Sequence, residues 1–291
     1  MTAVTQIPGG VRLRSATAAV VGSVRRSSPS TVVALVFIGA VLILSFVVPL
    51  LPGADPYSQS LGESLIEPLT DSAHLLGTDQ LGRDVLSRLA LATQMSLLIA
   101  VGAVLISAIL GLVVGLVAGY RGGRIDTVLM GIGDVQLAIP VVLLLIVLVA
   151  TLGSSPALLV ILLGLTNWVT YGRVVRAVVF SLREQEFVTA AVSAGASAGW
   201  VIRRHLLRNV LPQVLILSAF QIGVVITIES SLSFIGLGIQ PPTPSLGLMI
   251  NEGQRYLQSD PWMTIVPAAA VFLLIAGAQF LSQAFERTRS S

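Results

Sequence analysis

Apolar residues along this chain gather in long runs nearly free of charge, separated by short polar connections. A hydrocarbon core about 30 Å thick is crossed by roughly 20 apolar residues of helix. Three runs reach that length with no ionisable side chain: 31–51, 95–120 and 261–285. Three more carry one or two: 128–152 contains Asp134, 157–179 contains Arg173 and Arg176, and 211–232 contains Glu229. The pattern therefore predicts an all-α membrane protein with six transmembrane helices. The first run exceeds a signal-peptide core and is followed by no small-residue cleavage site, so it reads as an anchor helix. In the second run Gly111, Gly115 and Gly119 recur every four residues, a small face on which another helix or subunit is expected to pack. Pro140 and Pro267 fall inside runs and are expected to bend them.

Six spans place both termini on one side, and the arginines choose that side. Fourteen of seventeen fall with the termini: Arg12, Arg14, Arg25 and Arg26; Arg121 and Arg124; Arg173, Arg176, Arg183, Arg203, Arg204 and Arg208; Arg287 and Arg289. Only Arg83, Arg88 and Arg255 fall opposite. The positive-inside rule predicts that both termini are cytoplasmic. The expected layout is a basic cytoplasmic tail (1–30), a first span (31–51), an extracytoplasmic segment (52–94), a five-helix core (95–285) and a short cytoplasmic tail (286–291).

Composition narrows the chemistry. Of 291 residues 54% are apolar and 11% charged, with a mean hydropathy of +0.91, against about a quarter charged in ordinary soluble domains. All seventeen basic residues are arginine. Without lysine there is no G-x-x-x-x-G-K-[ST] phosphate loop and no Schiff-base nucleophile, so any ATP that powers the protein is hydrolysed by another chain. Cysteine is absent, which removes disulfides, thiolate metal sites and thiol nucleophiles. His74 and His205 lie far apart and form no metal-binding pattern. An enzyme is not expected, nor is a nucleic-acid partner.

The connection 181–211 is the most informative polar segment. Glu184 and Glu186 suit a helix N-terminus, Ala190 and Ala191 its middle, and Gly195 a left-handed stop; Ser197 is placed to cap a second helix that runs into Arg203 and Arg204. The result is a helix-turn-helix with small faces at Ala190, Ala191 and Ala196. The residues alone leave two readings open: a surface that slides into a groove on another protein, and an interfacial helix bound to anionic lipid through Arg203 and Arg204.

This segment resembles the "EAA" loop of ATP-binding-cassette importer permeases, E-A-A, three residues, glycine, nine residues, then I-x-L-P. Thr189, Ala190 and Ala191 stand at E-A-A, Gly195 at the glycine, His205 at the isoleucine, Leu207 at the leucine and Arg208 at the proline. The preceding Arg183-Glu184-Gln185-Glu186-Phe187-Val188 resembles the R-E-Q-E-Y-V of the peptide/nickel subfamily. Gly77-Thr78-Asp79-Gln80-Leu81-Gly82-Arg83-Asp84 is similar to the G-T-D-x-x-G-R-D of its C-type subunits. Physically, Asp79 and Asp84 are suited to cap helix ends and to pair with Arg83 or Arg88. Further similarity lies at 118–123, 134–140 and 229–245.

The resemblance implies a type I importer permease fold in a bacterial plasma (inner) membrane. It implies that 181–210 couples to the ATPase through Glu184, Glu186, Phe187, Thr189, Ala190, Ala191, Gly195, Ala196, Arg203 and Arg204. The implied partners are a second, B-type permease, two ATP-binding subunits or one fused ATPase, and an extracytoplasmic substrate-binding protein, with membrane lipid around them. ATP and magnesium would sit on those partners and no cofactor on this chain; the expected cargo is short peptides. Asp134, Arg173, Arg176 and Glu229 are expected to form structural or gating ion pairs, with Asp134 reaching Arg173 or Arg176, and the segment after Glu229 an outer gate. An ion-coupled secondary transporter working without an ATPase is the competing reading, but the chain shows no inverted repeat or midplane site for it.

Overall fold

The computed structural model describes residues 29–51 and 54–290, and among these the regular structure is helical, with one isolated bridge between Thr78 and Asp84. Helix α1 (Pro29–Val47) is followed by a 3-10 turn, Val48–Leu50. The long helix α2 (Val85–Arg121) opens at Asp84, whose carboxylate accepts the Ser87 backbone N–H at 2.7 Å, and closes at Gly122 with φ +63°. Helix α3 (Gly123–Leu137) and helix α4 (Val141–Leu152) follow. Helix α5 (Pro156–Arg183) is capped by Ser155, which accepts the Leu158 N–H at 3.2 Å. Two short helices, α6 (Glu186–Ser193) and α7 (Ala198–Val201), lead through a π-turn at Ile202–Leu206 into α8 (Leu207–Phe234). Helix α9 (Leu246–Gly253), capped by Ser245, precedes α10 (Trp262–Ser290).

Among the described residues four helices are long and apolar enough to cross a membrane: Val85–Arg121, Pro156–Arg183, Ala198–Phe234 and Trp262–Glu286; α3 and α4 add a fifth if that pair is one span. The 128–152 run is two helices bent by 80° and not a single rod. Pro140 is the cause: lacking an N–H and clashing with the preceding turn, it stands at the N-cap of α4. Pro267 and Pro212, in contrast, lie inside continuous helices. The second helix begins ten residues before the apolar run 95–120, because Asp84 caps it and Arg88, in its first turn, is neutralised by the buried Asp79 and the half-buried Glu252. Of the 31–51 run, the apolar helical stretch Ile38–Leu50 is shorter than the other spans. The terminal segment 286–291 is helical as far as Ser290, while residues 1–28, with Arg12, Arg14, Arg25 and Arg26, lie outside the described residues.

The centre of the bundle is the seam between α2 and α5. Apolar surface gains nothing by leaving lipid for protein, so helices associate there by close van der Waals fit, for which small residues are suited. Gly111, Gly115 and Gly119 face Tyr171, Gly172, Val175 and Val179. A Cβ on Gly115 would lie 2.6 Å from that of Val175 and 2.7 Å from the Gly172 carbonyl oxygen; one on Gly119 would lie 2.8 Å from the Val179 Cβ. Ser107 donates across the seam to the Gly164 carbonyl at 2.8 Å. On the opposite face of α2 Leu98, Val101, Leu105, Ile109 and Val113 are exposed, while Ala100, Ala103 and Ala118, with Ile99, are fully buried. Helix α8 packs on α2 and α10, with Tyr171 donating from α5 to Ser218 at 3.2 Å and Ser282 from α10 to the Ile216 carbonyl at 3.1 Å.

Gly115→Leu forces this seam apart against backbone and β-branched side chain. Overpacking of this kind costs about 1–3 kcal/mol, and thermal unfolding of the purified protein in detergent should show a lowered midpoint; Val113→Leu, on the exposed face, should leave it unchanged.

Candidate functional site

The polar connection after α5 folds into a protruding helix-turn-helix. Helix α6 stops by a Schellman arrangement: Gly195 N–H donates to the Val192 carbonyl at 2.9 Å and Ala196 N–H to the Ala191 carbonyl at 3.0 Å. Gly195 takes φ +86°, a conformation a side chain disfavours. Glu184, Glu186, Phe187, Thr189, Ala190, Gly195, Arg203 and Arg204 are exposed, and Ala191 and Ala196 half-buried. Thr189 caps back onto its own helix, donating to the Glu186 carbonyl at 3.0 Å. Ser197 stands at the N-cap of α7 but its side chain makes no capping bond, contrary to the sequence expectation. The element is rooted by Val188, Val201 and Leu206, all buried in the main apolar cluster. The His205 ring touches two others, Phe187 at 5.4 Å in a tilted arrangement and Trp200 at 5.1 Å in an edge-on one. A groove of 630 Å³ runs between this element and the end of α2, lined by Tyr120, Arg183, Glu184, Thr189 and Val192 among others.

Helix α3 is tied to α5 by polar links. Arg176 grips Asp126 with two nitrogens, and Arg173 Nη2 lies 2.5 Å from Asp134 Oδ1. Gln136 accepts from Trp168 Nε1 at 3.0 Å and donates to the Thr166 carbonyl at 2.6 Å. The Arg176 and Arg183 guanidiniums lie 4.8 and 4.1 Å from the centre of the Phe180 ring, and Arg183 donates to the Gly119 carbonyl at 3.2 Å. Arg176 thus pairs with Asp126, which the hydropathy runs passed over because it lies before 128; as a first-turn acid of α3 it also faces the positive helix end. Asp134 takes Arg173. That pair is more than half exposed on the surface of the isolated chain.

Glu229 is not in an ion pair among the described residues, against the sequence expectation. It is fully buried and held by hydroxyls: Ser96 of α2 donates at 2.9 Å, Ser233 at 2.8 Å and Ser230 at 3.5 Å. The neighbouring turn of α2 presents serine and no arginine, so hydroxyl dipoles do the solvating. Ser233 also accepts the Ile239 N–H at 3.3 Å, folding the segment 235–245 back over the helix end.

A second cluster lies near the start of α2. Asp79 accepts Arg83 Nε at 2.7 Å, Arg88 Nη1, and the backbone N–H groups of Leu81 and Arg83. Glu252 of α9 lies 2.9 Å from Arg88 Nη2 and 3.5 Å from Arg83 Nη2. Asp79, Arg83 and Arg88 are all buried. Asp84 caps α2 and lies 3.1 Å from His74 Nδ1. The sequence expects both aspartates to pair with Arg83 or Arg88; Asp79 does, Asp84 instead faces His74 and Ser87, and the second carboxylate on the arginines is Glu252, which is isolated in its own segment and joined to them only by the fold. Among the described residues no group of three or more histidine, aspartate or glutamate side chains is placed to hold a metal ion.

Residues 111–291 match the family described as the inner membrane component of binding-protein-dependent transport systems. The chain is 36% identical over 230 residues to a nickel transport system permease protein of Escherichia coli (strain K12), covering 79% of this chain and 82% of that one. It is 34% identical over 246 residues to a dipeptide transport system permease protein of Alkalihalophilus pseudofirmus, covering 84% and 80%. An oligopeptide transport system permease protein of Bacillus subtilis (strain 168) is 30% identical over 252 residues, covering 87% and 82%.

Breaking the buried four-charge cluster from one side leaves a carboxylate uncompensated. Arg88→Met should cost about 3–5 kcal/mol, read as a lower unfolding midpoint in detergent together with faster protease nicking between residues 54 and 84.

Proposed function

The chain belongs to the inner membrane components of binding-protein-dependent transport systems, as a multi-pass permease of the peptide/nickel group, and from this premise we propose that it forms half of the passage of an ATP-driven importer of short peptides. Six spans with both termini in the cytoplasm accompany this reading, although four or five are the spans that length and composition support among the described residues. The partners are a second, B-type permease, one fused or two separate ATP-binding subunits that hold ATP and magnesium, and an extracytoplasmic protein that delivers the cargo.

The observation that carries the proposal is the protruding helix-turn-helix 184–205, whose small, exposed face at Ala190 and Gly195 suits a groove on an ATPase. Its second arm continues without a sharp break from Ala198 to Phe234, 37 residues, about 55 Å of helix at 1.5 Å per residue. Closure of the ATPase displaces the element, and that helix carries the displacement to the hydroxyl-bound Glu229 and the glycine- and proline-rich segment beyond it, which acts as the outer gate. The links between α3 and α5, Asp126 with Arg176 and Asp134 with Arg173, hold the bent α3–α4 pair while the passage changes access.

Ala191→Pro removes a backbone donor inside α6 and clashes with the preceding turn. In the reconstituted complex it should abolish ATP-driven uptake while the chain still inserts and ATP is still hydrolysed. Uptake at the parental rate, or uptake in vesicles without any ATPase under a proton gradient alone, would assign the chain to a different class of transporter.

A further inference from the structure

The two arms of the helix-turn-helix have little of their own to keep them at a fixed angle. Helix α7 is a single turn that runs on into the longer helix, and α6, the other arm, has eight residues, too few to be stable by itself. Gly195 and Ala196 bond back onto α6, at Val192 and Ala191, while α7 starts from the Ser197 carbonyl, so the backbone bonds of the turn do not tie one arm to the other. At its other end the chain passes into α8 through five residues of π-helix, Ile202–Leu206, a widened turn of the kind found at joints and functional sites. A push delivered to Ala190 or Gly195 could therefore be spent in bending the element.

We propose that His205 is the positioning residue that prevents this, its ring clamped between Phe187 and Trp200 so that α6, α7 and the foot of α8 move as one rigid unit. The proposal rests on the reading of this element as the ATPase-docking surface. Each ring belongs to a different piece: Phe187 to α6, Trp200 to α7 and His205 to the π-turn. The centroid separations of 5.4 and 5.1 Å and the tilted and edge-on planes fall in the favourable range for aromatic pairs. Val188, Val201 and Leu206 are buried in the main apolar cluster and fix the root of the element; the rings, which are not part of that cluster, supply the second point of attachment that sets its angle. Phe187 and Trp200 nonetheless remain 44% and 43% exposed. Two large rings left half in solvent on an element whose other exposed residues are small or polar apart from Val192 are explained by what they hold between them.

The experiment uses the complete transporter reconstituted in lipid vesicles, comparing His205→Ala with His205→Phe. Uptake per ATP hydrolysed should fall at least about fivefold in His205→Ala, the lower end of the loss expected when two ring pairs disappear, and return to near the parental ratio in His205→Phe. Because the chain has no cysteine, Gln185→Cys and Arg208→Cys accept spin labels at the start of α6 and the start of α8, both exposed. Dipolar broadening between the labels should show a single narrow distance in the parent and in His205→Phe, and a wide distribution in His205→Ala. Trp200→Ala, at a half-exposed position, opens the stack from its other side and should widen the distribution even if His205→Ala does not accumulate. An unchanged distribution and ratio in His205→Ala, or equal loss in His205→Phe, overturns the clamp. Failure of the ATPase to co-purify with the parental chain overturns the docking reading instead, and the label distances then still decide whether the rings hold the element together.

Discussion

In lipid, the close approach of α2 and α5 is the condition on which the remaining structure depends. Water drives soluble helices together by expelling apolar surface, but a bilayer offers Leu and Val as good an environment as a protein core does. What remains is contact at short range, and Gly111, Gly115 and Gly119 permit it by leaving room for Tyr171, Gly172, Val175 and Val179. Once these two helices are fixed, the partners of each are fixed with them. Helix α5 holds α3 through Arg173, Arg176 and Trp168, and α2 holds α8 through Ser96. The glycines and alanines that α2 buries follow from the same condition.

Charge is treated by a complementary rule. Wherever an ionisable group is withdrawn from solvent, the fold surrounds it with partners that carry the opposite sign or a dipole. Asp79 and Glu252 share Arg83 and Arg88, a cluster of net zero charge that fastens the loop before α2 to α9. Glu229 is solvated by serines from two helices. The buried polar groups are thus the fasteners between elements that apolar contact alone would leave free to slide.

Much of this could be read from the chain because it is local. Apolar runs mark helices, a glycine every fourth residue marks a close seam, and an acidic start followed by alanines and Gly195 marks a helix that stops. The properties that escaped are those decided by distant chain. Glu252 has nothing in its neighbourhood to show that it faces Arg88, since α9 and α2 meet only in the fold. Arg176 selects Asp126 over Asp134, which lies about two helical turns further along α3, a choice that a hydropathy window does not resolve. Proline gave an ambiguous signal for the same reason: Pro140 separates two helices at 80°, whereas Pro212 and Pro267 are absorbed. Depth in the membrane suggested a counter-ion for Glu229, and only the identity of the facing residue, Ser96, shows why none is needed.

The bond between Ser96 and Glu229 has a mechanical meaning that its chemistry does not announce. It joins the Ala198–Phe234 helix to α2 near one end of that helix and not at its middle. Taken as a straight rod, the helix has an arm of about 46 Å from Glu229 to Ala198 and one of about 8 Å from Glu229 to Phe234. The polar ties of this helix to its neighbours, at Ile216, Ser218 and Glu229, fall from its middle onward, so the end that carries the packed loop is pinned by directional bonds and the foot is seated by apolar contact through Val201, Leu206 and Val210.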